Sequence, residues 1–340
     1  MLVVRPVQND DLESLFELIG QSELGLTTLK ISRDKLRSRI EDSVYAFSRS
    51  DANPGGQPYV FVMEDLAKGK LVGTSAIYAK VGGFEPFYSY EIKTSVHESK
   101  DLGVRKEVRA LHLREDHDGP TEIGSLFLDP AYWGHGHGKL LSLSRFLFMA
   151  QFPERFEKEV IAELRGVVNK DGKSPLWSAL GSHFFQIEFP KAETLTSESK
   201  KFIADLMPRH PIYIPLLPKD AQDAIGEVHR NTRPAKAMLI KEGFEYRGFV
   251  DVFDGGPSVH ADVANIRVIN ENIHGSVADV TSSIEDGQLK IVSNCSTEFR
   301  ACLGSVHVEK DKITIDEVTA LRLKLKSGDQ IRIVDLKAKT

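Results

Sequence analysis

The stretch TEIGSLFLDPAYWGHGHGKLLSLSRFLF, residues 121–148, decides the fold. Its first eight residues read as a strand that stops at Asp129-Pro130, because proline has no N–H to give to a ladder. Gly134, Gly136 and Gly138 follow, and then Leu140, Leu143, Leu147 and Ala150 recur at helical spacing. Glycines at a helix entry let backbone amides approach an anion closely, and the helix N-terminus favours negative charge, so the order predicts a phosphate site. A tight turn using glycine for steric reasons alone is the other reading of the same three residues.

Working outward, residues 160–164 read as the next buried strand. Upstream come a short strand at 2–4, a helix opened by an Asp10/Glu13 capping box with Leu12, Leu15, Phe16 and Ile19 on one face, and a second helix after Ser32 with Leu36, Ile40, Val44 and Phe47. The runs 59–64 and 71–81, joined through Lys68-Gly69-Lys70, predict an antiparallel pair, and 87–95 a further strand. Downstream, residues 169–228 are short capped pieces, opened by Ser174-Pro175 and by Ser197 and punctuated by Pro208, Pro211, Pro215 and Pro218. A helix over 232–242 carries Ala235, Met238 and Leu239, Gly243 closes it, and a strand over 244–253 follows. Gly255-Gly256-Pro257 then closes the domain. Alternating segments at 266–269, 289–293, 306–308 and 331–336 read as a small β-rich unit. The expected fold class is α/β (α+β), a mixed, mostly antiparallel sheet flanked by helices. The expected domains are 1–258, with a helical insertion at about 169–228, and a β-rich C-terminal domain at 259–340.

Composition narrows the chemistry. The 340 residues are 41% hydrophobic and 27% charged, enough apolar matter to fold, and no 20-to-50-residue repeat suggests a solenoid. Lys plus Arg (44) against Asp plus Glu (49) gives net −5, and no basic block interleaves with aromatics, so nucleic acid is not an expected partner. The longest apolar stretch, 140–152, is interrupted by Ser142, Ser144 and Arg145 and falls short of the ~20 residues a membrane span needs. The N-terminal MLVVRPVQNDD has no secretory pattern, and Cys295 and Cys302 have neither zinc nor disulfide-framework spacing, so a cytoplasmic protein is expected.

Small-molecule ligands remain. For a dinucleotide, Glu163 falls near where a ribose-binding acid would stand, but the glycines follow G-x-G-x-G and begin some way after the strand. A P-loop fails because Gly138-Lys139 is followed by Leu140, not Ser or Thr. The frame from Trp133 to Gly138 resembles the acyl-CoA loop of the Gcn5-related N-acyltransferases, which runs Arg or Gln, two residues, Gly, one residue, then Gly or Ala. Gly136 and Gly138 match, and Trp133 stands where Arg or Gln is usual. The resemblance implies a pyrophosphate resting on backbone amides at Gly134, Gly136 and Gly138 with one side-chain contact missing. It also implies a preceding strand that splays from its neighbour and offers Leu126, Phe127 and Leu128 to pantetheine.

A closer resemblance runs along the chain through LTTL at 26–29, FVMED at 61–65, SLFLDP at 125–130, AELRG at 162–166, SPLW at 174–177, FIADLMP at 202–208, GEVH at 226–229 and VFDGGP at 252–257. In these segments the chain resembles the arginine N-succinyltransferases. That resemblance implies transfer of succinyl from succinyl-CoA to the α-amino group of L-arginine, with His229 in proton transfer and Leu126 touching the donor. It implies succinyl-CoA as co-substrate, no tightly bound cofactor and no metal.

The chemistry asks for such a histidine independently, because an α-ammonium must lose a proton before attack and the leaving thiolate gains from receiving one. A guanidinium calls for carboxylates and a succinyl tail for Arg or Lys. Glu122, Glu163, Asp251 and Asp254 are acidic candidates and Arg165 a basic one. His135 and His137 lack a third metal ligand and read as loop residues. His97, His112 and His117 are expected near loops of the middle sheet. Ornithine or another amino acid is an alternative acceptor. A non-catalytic subunit of a heteromeric enzyme is the alternative that Trp133 favours. A homo- or hetero-oligomer is compatible with the sequence, and the C-terminal unit reads as structural or subunit-contacting.

Overall fold

A computed structural model describes residues 1–21, 31–50, 53–196, 200–309 and 312–337; the LTTL segment at 26–29 and the helix start at Ser197 lie outside them. The strands are β1 (Leu2–Pro6), β2 (Pro58–Asp65), β3 (Lys70–Tyr78), β4 (Gly82–Ser99), β5 (Val104–Asp118), β6 (Thr121–Leu128), β7 (Glu159–Glu163), β8 (Ile212–Tyr213), β9 (Glu245–Val250), β10 (Pro257–Asp262), β11 (Ile273–Thr281), β12 (Gln288–Asn294), β13 (Ala301–Glu309), β14 (Lys312–Asp316) and β15 (Gln330–Asp335). They join in one sheet in the order β12-β15-β11-β14-β13-β1-β2-β3-β6-β7-β10-β9-β4-β5-β8. The pairs β6–β7 and β11–β14 are parallel and the rest antiparallel, the mixed sheet flanked by helices that the sequence predicts.

Strand β2 explains why both faces are covered. Tyr59, Phe61 and Met63 pack with Leu143, Leu147 and Phe148 of helix α3 (His137–Gln151). The alternate residues Val60 and Val62 pack with Leu15 and Ile19 of α1 (Leu12–Gly20) and Leu36 and Ile40 of α2 (Arg33–Ser48). With a side-chain period of two, a strand apolar at every position is sandwiched between helices.

Several local expectations are corrected. Helix α1 opens through Asp11, which accepts from the Gln8 amide (2.7 Å) and from Arg5 (2.7 Å), not through an Asp10/Glu13 box, and Phe16 faces outward. Residues 266–269 are not a strand, because Arg267–Glu271 is helical. The chain does not leave the sheet after Gly256: β10 crosses the expected boundary at 258 and inserts between β7 and β9. Strand β5 carries no expectation at all, since its outer half is charged and exposed on both faces. It forms a long hairpin with β4, on which His97, His112 and His117 sit in strands and not in loops. Strands β11 and β14 were likewise unanticipated.

The segment 169–228 consists of short pieces whose apolar residues, among them Trp177, Phe185, Phe189 and Ile203, share a core with Tyr90 and Leu111 of that hairpin. The C-terminal strands continue the sheet through β13 against β1, with Val4 opposite Ala301, and Leu336 lies beneath the start of α3. No helix among the described residues is long and apolar enough to cross a membrane.

Candidate active site

Strand β6 pairs with β3 from Glu122 to Leu128, but with β7 only at Thr121 and Glu122. Beyond Glu122 the two parallel strands part, which leaves one edge of Ile123 to Leu128 open. A bulge marks the parting: the β3–β6 register shifts between Thr74 and Ala76, and Ser125 takes φ +52°, a left-handed conformation uncommon outside glycine. The opened edge is one wall of a cleft of about 1010 Å³, lined further by the glycine loop, one face of α3 as far as Arg145, residues 162–165 and His229 to Thr232.

The loop is built by local bonds. Asp129 accepts from the Ala131 amide (2.9 Å), and the Trp133 indole donates to the Leu128 carbonyl (2.9 Å), so Trp133 closes the strand end with its polar edge while the ring stays two-thirds exposed. Gly134 and Gly136 have φ of +93° and +83° and put α3 on its path. A Cβ on Gly136 would stand 2.5 Å from Leu336 of the C-terminal strand region, whereas one on Gly138 meets nothing within 4 Å. In the first helical turn the His137 amide donates to the Gly134 carbonyl (3.1 Å) and the Leu140 amide to the Gly136 carbonyl (2.9 Å), which leaves those of Gly138 and Lys139 to suit an anion at the cleft mouth. Lys139 lies beside them, its Nζ donating to the Leu336 carbonyl (3.4 Å). His135 and His137 stack loosely, and among the described residues no group of three or more His, Cys, Asp or Glu is placed to hold a metal.

His229 enters from the opposite side. Its backbone amide donates to the Arg165 carbonyl (2.8 Å), which ties it to the strand end at β7, and its ring lines the cleft. The Asn231 amide donates to Nδ1 (3.3 Å). Partial burial, then Arg230 and Arg165, hold the imidazole below its ordinary pKa, which favours the neutral ring.

Across residues 163–165 lies a second cavity of about 670 Å³. Glu122, Glu163, Asp251 and Asp254 all line it, and Arg165 stands in the shared wall. Asp254 is occupied: its oxygens accept from the amides of Gly166 (2.8 Å) and Gly256 (2.7 Å), so it fixes the turn. Asp251 accepts from the amides of Phe253 and Asp254 (both 2.8 Å), and burial, followed by Asp254, pushes it up to about 7. Glu163 is held well above the carboxylate range by burial, with Asp251 and Glu122 adding repulsion, and its Oε1 is buried without a hydrogen-bond partner. Arg165 pairs with Glu193 and lies 3.5 Å from Asp254, yet its Nε is also buried and unpartnered. The structure thus brings the expected strand, loop, histidine and acids to two adjoining cavities. Sequence reasoning missed Glu193, Asn231 and the buried Arg145, although a single arginine within the apolar face of α3 was a visible signal.

Comparison with known proteins gives the family. The family described as arginine N-succinyltransferase beta subunit matches residues 2–268, and its C-terminal domain matches 274–335. An arginine N-succinyltransferase of Yersinia pestis (strain Pestoides F) is 42% identical over 99% of this chain and 98% of its own length. One from Salmonella paratyphi B is 41% identical with the same coverage. The solved structure of arginine/ornithine succinyltransferase subunit AI from Pseudomonas aeruginosa superposes with a TM-score of 0.90 at 34% identity, covering 99% of both chains. With matches spanning both the sheet that carries the cleft and the strands beneath its glycine loop, this chain belongs to the arginine N-succinyltransferase family of acyltransferases.

Proposed function

We propose that this chain transfers a succinyl group from succinyl-CoA to the α-amino group of L-arginine. The observation that carries the reading is the adjacency of two unlike cavities. One has an open strand edge leading from a helix N-terminus, and the other is rich in buried carboxylates; they share residues 163–165. In this reading the pyrophosphate rests at the Gly134–Gly138 loop with Lys139 supplying charge where Trp133 does not. Pantetheine adds to the free edge of Leu126, Phe127 and Leu128 as a strand would. The guanidinium enters the second cavity toward Glu163 and Asp251, and the unpartnered Nε of Arg165 suits the acceptor's own carboxylate.

The α-ammonium first gives one proton to solvent, the free amine attacks the thioester carbonyl, and the tetrahedral intermediate collapses with loss of the CoA sulfur while a second proton travels from nitrogen to sulfur. His229 is the group for that transfer. A ring neutral at rest can take the proton, and its depressed pKa makes the imidazolium a willing donor. With the Asn231 amide on Nδ1, the resting ring carries its hydrogen on Nε2, and the long 3.3 Å contact has to yield as the ring charges. The free thiols of Cys295 and Cys302 accord with the reducing cytoplasm where this reaction would run.

Rates of the purified single chain on arginine and ornithine, each with succinyl-CoA and acetyl-CoA, test the whole reading. Arginine with succinyl-CoA is expected to be fastest. Equal rates on ornithine would remove the guanidinium assignment, and absence of turnover by the single chain would favour a non-catalytic subunit.

Gly138→Ala separates stability from donor binding. Replacing a helical glycine by alanine is expected to raise stability by up to about 1 kcal/mol. Because the acyl-CoA loop motif takes Gly or Ala at this position and a Cβ there meets nothing within 4 Å, thermal melts should rise while CoA titration stays near that of the unsubstituted chain. A variant that loses CoA binding altogether would show that this position does not sit in the loop frame the motif describes.

A further inference from the structure

Arg145 on α3 is 2% exposed, and among the described residues no ion pair reaches it. Its bonds go to neutral acceptors: Nε to the Ser142 carbonyl (3.0 Å), Nη1 to the carbonyls of Ala76 (3.3 Å) and Gly124 (3.2 Å), and Nη2 to the Ser142 hydroxyl (2.9 Å). Those bonds use four of the guanidinium's five hydrogens and leave one on Nη2. A buried cation without a counter-ion is costly, and burial alone drives its pKa down to about 9. An apolar residue in the same helix face would fold at less cost, so the charge calls for an anion that arrives from outside.

Its position says which anion. Gly124, Ser142 and Arg145 line the inner end of the cleft, below the bulge at Ser125. Counted along β6 from Gly124 to Leu128, that end lies roughly 13 Å from the end of the strand, still short of the glycine loop. Counted along α3 from Gly136 to Arg145, it lies about 14 Å in. Both counts put Arg145 well inside the cleft from a phosphate at the helix N-terminus, so it is the acyl end of the donor, not its phosphates, that would come next to the guanidinium. We propose that Arg145 receives the free carboxylate of a dicarboxylic acyl group, so that the cleft selects diacid acyl donors over uncharged ones of the same length. The assignment rests on the proposed use of succinyl-CoA.

Butyryl-CoA is the matched control, since a methyl group replaces the carboxylate. For Arg145→Gln, the ratio of kcat/KM for succinyl-CoA to that for butyryl-CoA is expected to fall about tenfold or more, the worth of one charge-assisted hydrogen bond. Arg145→Lys keeps the charge without the fork and should give an intermediate ratio. If Arg145→Gln does not fold, Arg145→Lys carries the test. Either folded variant losing activity equally with both donors, its ratio unchanged, would overturn the proposal and leave Arg145 as a brace for the bulge. An unsubstituted enzyme that does not prefer succinyl-CoA to butyryl-CoA would instead sink the donor itself, whatever the variants do.

Discussion

Replacing His229 with alanine is expected to lower kcat by about 10²–10⁴-fold, the range a positioned general acid–base group supplies, while CoA affinity stays near its original value. The split follows from placement. The ring lines the cleft, but the loop and strand edge that would hold the donor are built from other residues, and the contact tying His229 to Arg165 is made by its backbone and survives the substitution. Isothermal titration with CoA beside steady-state kinetics checks both halves, and kcat within a few-fold of the original would remove His229 from the chemistry. A pH profile adds a sign. Because burial lowers the ring's pKa below its ordinary value, activity should rise with pH through a limb lying below about 6.5, and that limb should vanish in the alanine variant.

Glu163→Gln is expected to raise KM for arginine by about tenfold to a hundredfold, while melting temperature stays level or increases. The opposite signs share one cause. Glu163 is buried beside Asp251 and Glu122, so its ionised form is disfavoured in the folded chain, and that penalty grows as pH rises. An amide removes the penalty. A guanidinium entering the cavity also removes it, by neutralising the charge, and only the carboxylate offers that attraction. Arginine binding should therefore release protons and tighten as pH increases through about 7, where Asp251 ionises. Calorimetry in buffers of different ionisation enthalpy reads the proton release, and thermal scans read the stability. A variant that binds arginine normally, or that melts lower at alkaline pH, would show the carboxylate to be structural.

The folding core was legible because periodicity is local. The alternating Val60 and Phe61, the helical Leu143 and Leu147, and the glycines at 134 and 136 report their surroundings without knowledge of the rest of the chain. Strand β5 was not legible, since residues such as Arg105, Lys106 and Glu107 carry charge on both faces and only pairing with β4 makes them extended. The end of the catalytic sheet was misplaced for a similar reason. Gly255-Gly256-Pro257 reads as a terminator, and only the vacancy between β7 and β9 draws the next six residues back into the ladder.

By itself the sequence determined the strand-loop-helix at 121–148, which is a short-range pattern, and offered the acids as a residue type the chemistry demands, while His229 stood out only through the family resemblance carried by GEVH at 226–229. Only the tertiary structure decided which of those acids are already occupied. Asp254 spends its oxygens on the amides of Gly166 and Gly256, while Glu163 keeps one oxygen unpartnered. It also turned Arg145 from an interruption in an apolar run into a buried charge at the inner end of the cleft, and set Leu336 beneath Gly136. Desolvation and pairing depend on groups far apart in the chain meeting in space, and no local pattern of residues encodes that.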